Sequence, residues 1–352
     1  MKKSFFKKSI KKSMLILFVF FFYFETNAQG LKFPDVSQKA FVTQTIGVTD
    51  IEIDYHSPLA KNRKVFGGIV PFNKVWRCGA NENTTISFST DVKIEGKQLK
   101  AGIYGLHMIP SENDWIIIFS NNYTSWGSFT YKIEEDEMRV TVKPAITEFQ
   151  EWLSYDFSER KANSVVIDLK WENVKVSFLI EVDLNNTILA GIRRDLRGSA
   201  GQSLNSWIRA ASFCERNNYN LEEALSWIEV PLQANPSFSS LKVKASILEK
   251  MGKTAEANEI RKKAIEIAGQ DELNLYGYEL LQEKQIEKAI NIFKVNVSRN
   301  PSSWNVYDSL GEAYLISKDN KNAKKYYKIA LSKAPLEQQP GILERMKETD
   351  IL

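Results

Sequence analysis

The densest run of groups able to hold or transform a ligand is Trp76-Arg77-Cys78-Gly79-Ala80-Asn81-Glu82-Asn83-Thr84-Thr85. Arg77 offers a planar fork of donors for an anionic or hydroxyl-rich group, Asn81 and Asn83 can orient such a group, and Trp76 can stack on a ring. The same types also suit a structural part, with Trp76 filling a core, Arg77 pairing with a carboxylate on a neighbouring strand, and Gly79-Ala80-Asn81 forming a bulge or turn. Cys78 becomes a nucleophile only beside a base, and His56 and His107 are the two histidines of the chain. A cysteine-dependent hydrolase is therefore the sharpest enzymatic alternative, although no motif places either histidine near the thiol. Glu134-Glu135-Asp136-Glu137 reads as a solvated acidic turn rather than the spaced acid and base of a glycosidase. Cys78, Cys214, His56 and His107 have no zinc-ligand spacing, and no glycine-rich phosphate loop is present, so neither metal nor cofactor is expected. Tyr123, Trp126, Phe129 and Tyr131 gather aromatics in one segment, either as a platform for sugar stacking or as a covered edge.

These residues need a scaffold, and residues 38–182 supply one that reads as short strands separated by turns. Ile51, Ile53 and Tyr55 alternate with Glu52 and Asp54, which is a half-buried strand. Val92-Lys93-Ile94, the turn stretch Glu95-Gly96-Lys97 and the run from Ala101 to Leu106 suggest a hairpin. Trp115 to Phe119 suits a strand covered on both faces, and the runs 165–171 and 174–182 flank Glu172-Asn173 as a two-residue turn. About ten strands of this kind predict an all-β sandwich or jelly-roll domain over residues 29–183.

The first 28 residues read as an export signal: six lysines precede the apolar run from Met14 to Phe24, and Thr26-Asn27-Ala28 suits cleavage after Ala28. Six of the 47 basic and one of the 43 acidic residues lie there, which leaves 41 against 42 in the mature chain. That balance lacks the positive field of nucleic-acid binding, and no later run is long and apolar enough to span a membrane. An exported protein permits a disulfide, yet Cys78 and Cys214 each sit among apolar neighbours, as buried free thiols do.

After residue 183 the period changes to that of helices. Residues 184–202 form a connector, with Ile188, Ile192 and Leu196 on one stripe before Gly198-Ser199-Ala200-Gly201. Tyr307, Leu310, Gly311, Tyr314, Ala323, Tyr327, Ala330 and Pro335 then resemble the tetratricopeptide repeat, or TPR, pattern. Thirty-four residues earlier stand Leu273, Tyr276, Gly277, Leu280, Ala289, Phe293 and Pro301, with Asn296 at a position usually small. A third unit carries Leu241, Ala245, Leu248, Ala257 and Ala264, is two residues short, and has Arg261 at the aromatic position. A fourth is built from Trp207, Ala210, Ala211, Cys214, Ala224, Ile228 and Pro236. The small residues let paired helices cross closely and the large ones fill the space between hairpins, so residues 203–335 predict four hairpins of an all-α array. Asn220 with Glu223 reads as a capping box, and residues 336–352 as a final capping helix. The resemblance implies a concave groove along the first helices, lined by Lys242, Ser246, Glu249, Asn274, Tyr278, Asn305, Asp308 and Glu312.

A second resemblance covers residues 44–182. Ile46-Gly47-Val48-Thr49-Asp50-Ile51, Tyr55-His56-Ser57-Pro58, the stretch from Val70 to Asn81 and Ala101-Gly102-Ile103-Tyr104 are similar to DUF2911, an exported family frequent in Bacteroidetes. Cys78 stands where threonine is commoner, and Phe72-Asn73 where Tyr-Gly is usual. The family has no assigned activity, so the resemblance implies architecture and compartment. The expectation is a non-enzymatic exported scaffold whose groove takes an envelope protein or extended peptide. The alternative is a β domain that binds a small ligand such as a glycan, with the repeats as a tether.

Overall fold

Period-two burial sets the strands of the first unit. The computed structural model describes residues 34–349, and the chain divides into two compact units at Glu181/Val182. The export-signal segment 1–28 and the last residues of the C-terminal segment lie outside the described residues. In the first unit, β1 (Gln38–Ile46), β2 (Thr49–Ser57), β3 (Thr85–Phe88), β4 (Val92–Ile94) and β5 (Lys97–Leu99) come first in the chain. β6 (Gly102–Ile109), β7 (Trp115–Ser120), β8 (Asp136–Val142), β9 (Pro144–Ser158) and β10 (Ser164–Glu181) complete it.

One antiparallel sheet runs β1-β2-β3-β6-β7-β8 and the other β5-β4-β10-β9. Their inner faces meet through Phe119 and Phe178, 6.1 Å apart edge to face, and through Tyr55 and Tyr155 at 4.8 Å. The unit is a β-sandwich, as the alternation predicts. Trp115 and Trp171, both fully buried, lie against Phe66 and fix the centre of the core.

Three local expectations change. Glu172-Asn173 is no hairpin turn: β10 runs through it, and both halves pair with β9 across register shifts at Glu172. The left-handed Glu172 (φ 55) is absorbed as a bulge because its carboxylate accepts the Val65 N–H at 3.1 Å while Trp171 stays in the core. Glu95-Gly96 does turn, but it joins β4 to β5, and β6 pairs with β3 in the other sheet. The acidic run is not solvated throughout. The Asp136 side chain is only 8 % exposed and is held by Tyr131 and Arg139.

The second unit is helical. α1 (Leu184–Leu196) leads into the hairpins α2 (Leu204–Arg216) with α3 (Leu221–Ala234) and α4 (Phe238–Lys250) with α5 (Thr254–Ile267). α6 (Gln270–Gln282) with α7 (Ile286–Arg299) and α8 (Trp304–Ile316) with α9 (Asn320–Lys333) follow, and α10 (Gln339–Glu348) ends the array. In the last two hairpins the close crossings fall where the sequence supplies glycine. A Cβ on Gly277 would sit 2.4 Å from the Phe293 ring, and one on Gly311 2.8 Å from the Tyr327 ring. Asn296, fully buried, donates to the Gln270 carbonyl at 2.9 Å and accepts from Asn300 at 2.8 Å, which explains a polar residue at a small-residue position.

The α1 stripe belongs to this unit: Leu189 is buried, and Ile192 and Leu196 pack beside it in a cluster with Trp207, Ala210 and Trp227. Leu189 takes the place expected for Ile188. Asn220 holds the N-cap position of α3 but makes no side-chain cap, because it is left-handed (φ 51) and donates instead to Glu223. Arg193 occupies the same carboxylate with a two-pronged ion pair.

Candidate functional site

In the sandwich, the Trp76–Thr85 stretch divides its side chains between inside and outside. Trp76 turns inward, stacked on Trp171 at 6.0 Å and set edge-on to Phe66, with its indole N–H on the Gly79 carbonyl at 3.3 Å. Asn81 is left-handed (φ 55) and its amide reaches the Ser37 carbonyl at 3.4 Å, as a turn residue does. Cys78, also left-handed, is fully buried; its thiol faces the Trp76 carbonyl, and its own carbonyl accepts from the Tyr155 hydroxyl at 2.9 Å. Burial pushes the Cys78 thiol well above its ordinary pKa, and burial likewise lifts Cys214 to about 11. Both cysteines are free and both are buried. His56 lies 3.3 Å from Glu82, while His107 sits edge-on to Tyr131, with burial lowering its pKa to about 4. A protonated, enclosed thiol with no histidine bonded to it does not fit a nucleophile.

Arg77 turns the other way and meets the aromatic segment. Its guanidinium carbon lies 5.6 Å from the Trp126 ring centre and 6.0 Å from that of Phe129. The two rings stack at 5.8 Å with 13° between their planes, and they are 61 % and 80 % exposed. The approach requires Gly127 (φ +71), where a Cβ would stand 2.3 Å from an Arg77 terminal nitrogen. Asn83 ties the loop down: its N–H donates to the Ser125 carbonyl and its amide to the Asn122 carbonyl, both at 3.2 Å. That contact in turn needs Gly105, whose Cβ would fall 2.4 Å from the Asn122 oxygen.

No carboxylate pairs with Arg77 among the described residues, and its Nε is buried without an acceptor. Burial lowers its pKa, with the charge of Glu82 acting in the opposite direction. Tyr131 stands apart from this platform, its hydroxyl donating to Asp136 and accepting from Arg139 at 2.6 Å. Burial, together with the bond to Asp136, pushes its pKa to about 12. In the sequence, Arg77 and the aromatic segment stand about fifty residues apart, and no local pattern joins them. Gly127 was the available sign that something approaches the loop backbone.

In the array, polar side chains of the first helices hand on from one hairpin to the next. Ser246 and Lys250 on α4 reach Glu215 of α2 at 2.7 Å, and Lys242 pairs with Glu279 of α6 at 2.6 Å. Tyr278 donates to Glu312 of α8 at 2.8 Å, and Asp308 is held by Arg345 of α10 at 2.6 Å. Much of the expected groove chemistry is thus spent within the chain. Asn274 keeps a buried side-chain oxygen without a donor, and Asn305 is half-buried at the start of α8.

The opening falls at the irregular repeat. A cleft of about 450 Å³ lies between α4, α5 and α6, with Lys242, Ser246 and Glu249 among its lining residues. Asn274, Tyr278, Asn305, Asp308 and Glu312 lie outside it. Phe293 and Tyr327 fill the corresponding space on Gly277 and Gly311, whereas the second hairpin has Ala245 facing Arg261. The guanidinium swings aside to Glu249 and Asn258, and Ala245, Arg261 and Ala264 become cleft wall. Tyr276, a residue of the repeat pattern, and Phe238 and Glu279, which the pattern does not mark, also line it, with the Lys242 ammonium 5.9 Å from both ring centres.

Among the described residues, no helix is long and apolar enough to cross a membrane, and no cluster of three or more His, Cys, Asp or Glu side chains is arranged to hold a metal. No curated protein matches the chain. Solved structures match part of the chain. PilF of Pseudomonas aeruginosa is 21 % identical over 43 % of this chain and 69 % of its own, with a TM-score of 0.28. YrrB, described as a TPR protein with an unusual peptide-binding site, is 17 % identical over 46 % and 83 %, also at 0.28. The C-terminal part of a TPR protein from Cytophaga hutchinsonii is 17 % identical over 47 % and 76 %, at 0.30. Residues 37–180 match the family described as protein of unknown function DUF2911, and residues 305–335 match the tetratricopeptide repeat. The chain therefore carries a DUF2911 domain followed by tetratricopeptide repeats.

Proposed function

We propose that this protein is a non-enzymatic exported scaffold whose repeat array docks an extended peptide or another cell-envelope protein in the α4–α6 cleft. The observation that carries this reading is the void left where Arg261 replaces a ring, whereas Phe293 and Tyr327 fill the equivalent positions of the next two hairpins. Its volume falls within the range of sites that enclose a ligand. The cleft wall alternates acids and bases and keeps two aromatic rings, which suits a peptide of mixed charge better than a polyanion. The export signal read at residues 1–28 supports an envelope partner.

A photo-crosslinking residue introduced at Ser246 tests the reading in envelope extract. The expected result is one discrete protein adduct, lost when Lys242→Glu and Glu279→Ala change the cleft wall. No adduct, or an adduct indifferent to those changes, contradicts the proposal.

A further inference from the structure

We propose that Arg77, Trp126 and Phe129 form a second site, on the sandwich, for an acidic saccharide bearing one carboxylate per pyranose ring. The carboxylate lies on the Arg77 fork, and the C–H face of the sugar packs on the exposed rings. Two large aromatic side chains stacked in parallel and turned to solvent offer a flat apolar face that the sandwich core does not use. Beside them stands a half-buried cation that no carboxylate among the described residues pairs with directly, an arrangement that an arriving anion would relieve.

The geometry is set in advance. Gly127 admits the guanidinium, and Asn83 and Gly105 hold the loop from Asn122 to Ser125 against the Arg77 segment. The surrounding charge selects among anions. Glu82 acts on Arg77, while Glu135 and Glu137 bind Asn122 and Asn121 at the base of the loop. A phosphate dianion concentrates two charges at the fork, which one arginine beside Glu82 does not offset, whereas a uronate presents one carboxylate there and holds the next a sugar ring away. A neutral sugar leaves the fork unanswered.

The test is calorimetric titration of the full chain with trisaccharides of galacturonate, glucuronate and mannuronate, each beside its methyl ester. At least one acid form is expected to bind, with affinity falling at least tenfold in its ester and in both Arg77→Met and Trp126→Ala. Trp126→Ala should leave the thermal midpoint unchanged, because the ring is mostly exposed, so that loss of binding is not loss of fold. Binding by none of the three acids overturns the proposal, as does equal binding of the esters or indifference to Trp126→Ala. Conversion of a dimer to a monomer by Trp126→Ala also overturns it, since the rings would then serve a contact between copies. Arg261→Phe should leave saccharide binding unchanged, which separates this site from the cleft of the array.

Discussion

At the scale of single residues, burial decides which reactive groups are silent. Cys78 and Cys214 are enclosed and both thiols are shifted upward, so neither should react with a maleimide at neutral pH until the chain is denatured. Rapid labelling of Cys78 in the native protein would restore the nucleophile reading. His107 gives a pH signature. Burial lowers its pKa to about 4, against a favourable charge from Asp136, while the unfolded value stays near 6.5. The unfolded chain therefore gains a proton first, and stability falls between about pH 6.5 and 4 by roughly 3 kcal/mol at most. Urea unfolding of wild type and His107→Gln across that window should show a shallower loss in the variant; parallel curves would contradict the assignment. Residue types such as Arg77 and Trp126 were legible in the sequence as candidates. Their meeting was not, because a contact between residues 77 and 126 depends on a loop path that no local period encodes.

At the scale of elements, periodicity carried most of the fold. The last two hairpins were the most visible, because their close crossings demand Gly277 and Gly311 at a fixed offset from a ring. Gly311→Ala should cost about 1–3 kcal/mol by overpacking against Tyr327, read as a lower denaturant midpoint, and no change would show that the crossing can relax. What the sequence hid were the places where side chains redirect the backbone: the bulge at Glu172, read as a turn, and the left-handed Asn220, read as a cap. Both are set by distant partners, Val65 and Arg193. The connector α1 is bound to the first hairpin by Leu189, by Arg193 with Glu223, and by Tyr219 with Asn186 at 2.6 Å. A fragment beginning at Asp183 should accordingly be more stable than one beginning at Ser203, by about 2–5 kcal/mol for that apolar burial. Equal midpoints would place the stripe against something other than the array.

At the scale of the whole molecule, a sandwich and a repeat array share one chain, each with its own core, and the proposed sites are built on different physics. The sandwich site adds an unpaired cation to exposed rings, whereas the cleft of the array opens at the repeat that departs from its pattern, walled in part by the Lys242–Glu279 and Ser246–Glu215 pairs. The central claim is that this departure makes the docking cleft. Arg261→Phe should close it, since a ring would fill the space beside Ala245 as Phe293 does beside Gly277. Stability should hold or rise, because burying a phenyl ring contributes about 1.5–3 kcal/mol and the lost Glu249 pair costs under about 1 kcal/mol. The decisive measurement is the yield of the Ser246 photo-adduct in envelope extract for wild type against Arg261→Phe, with helix content and thermal midpoint measured alongside. The account predicts at least a tenfold loss of adduct in a protein as stable as wild type; an undiminished adduct would show that the partner docks elsewhere.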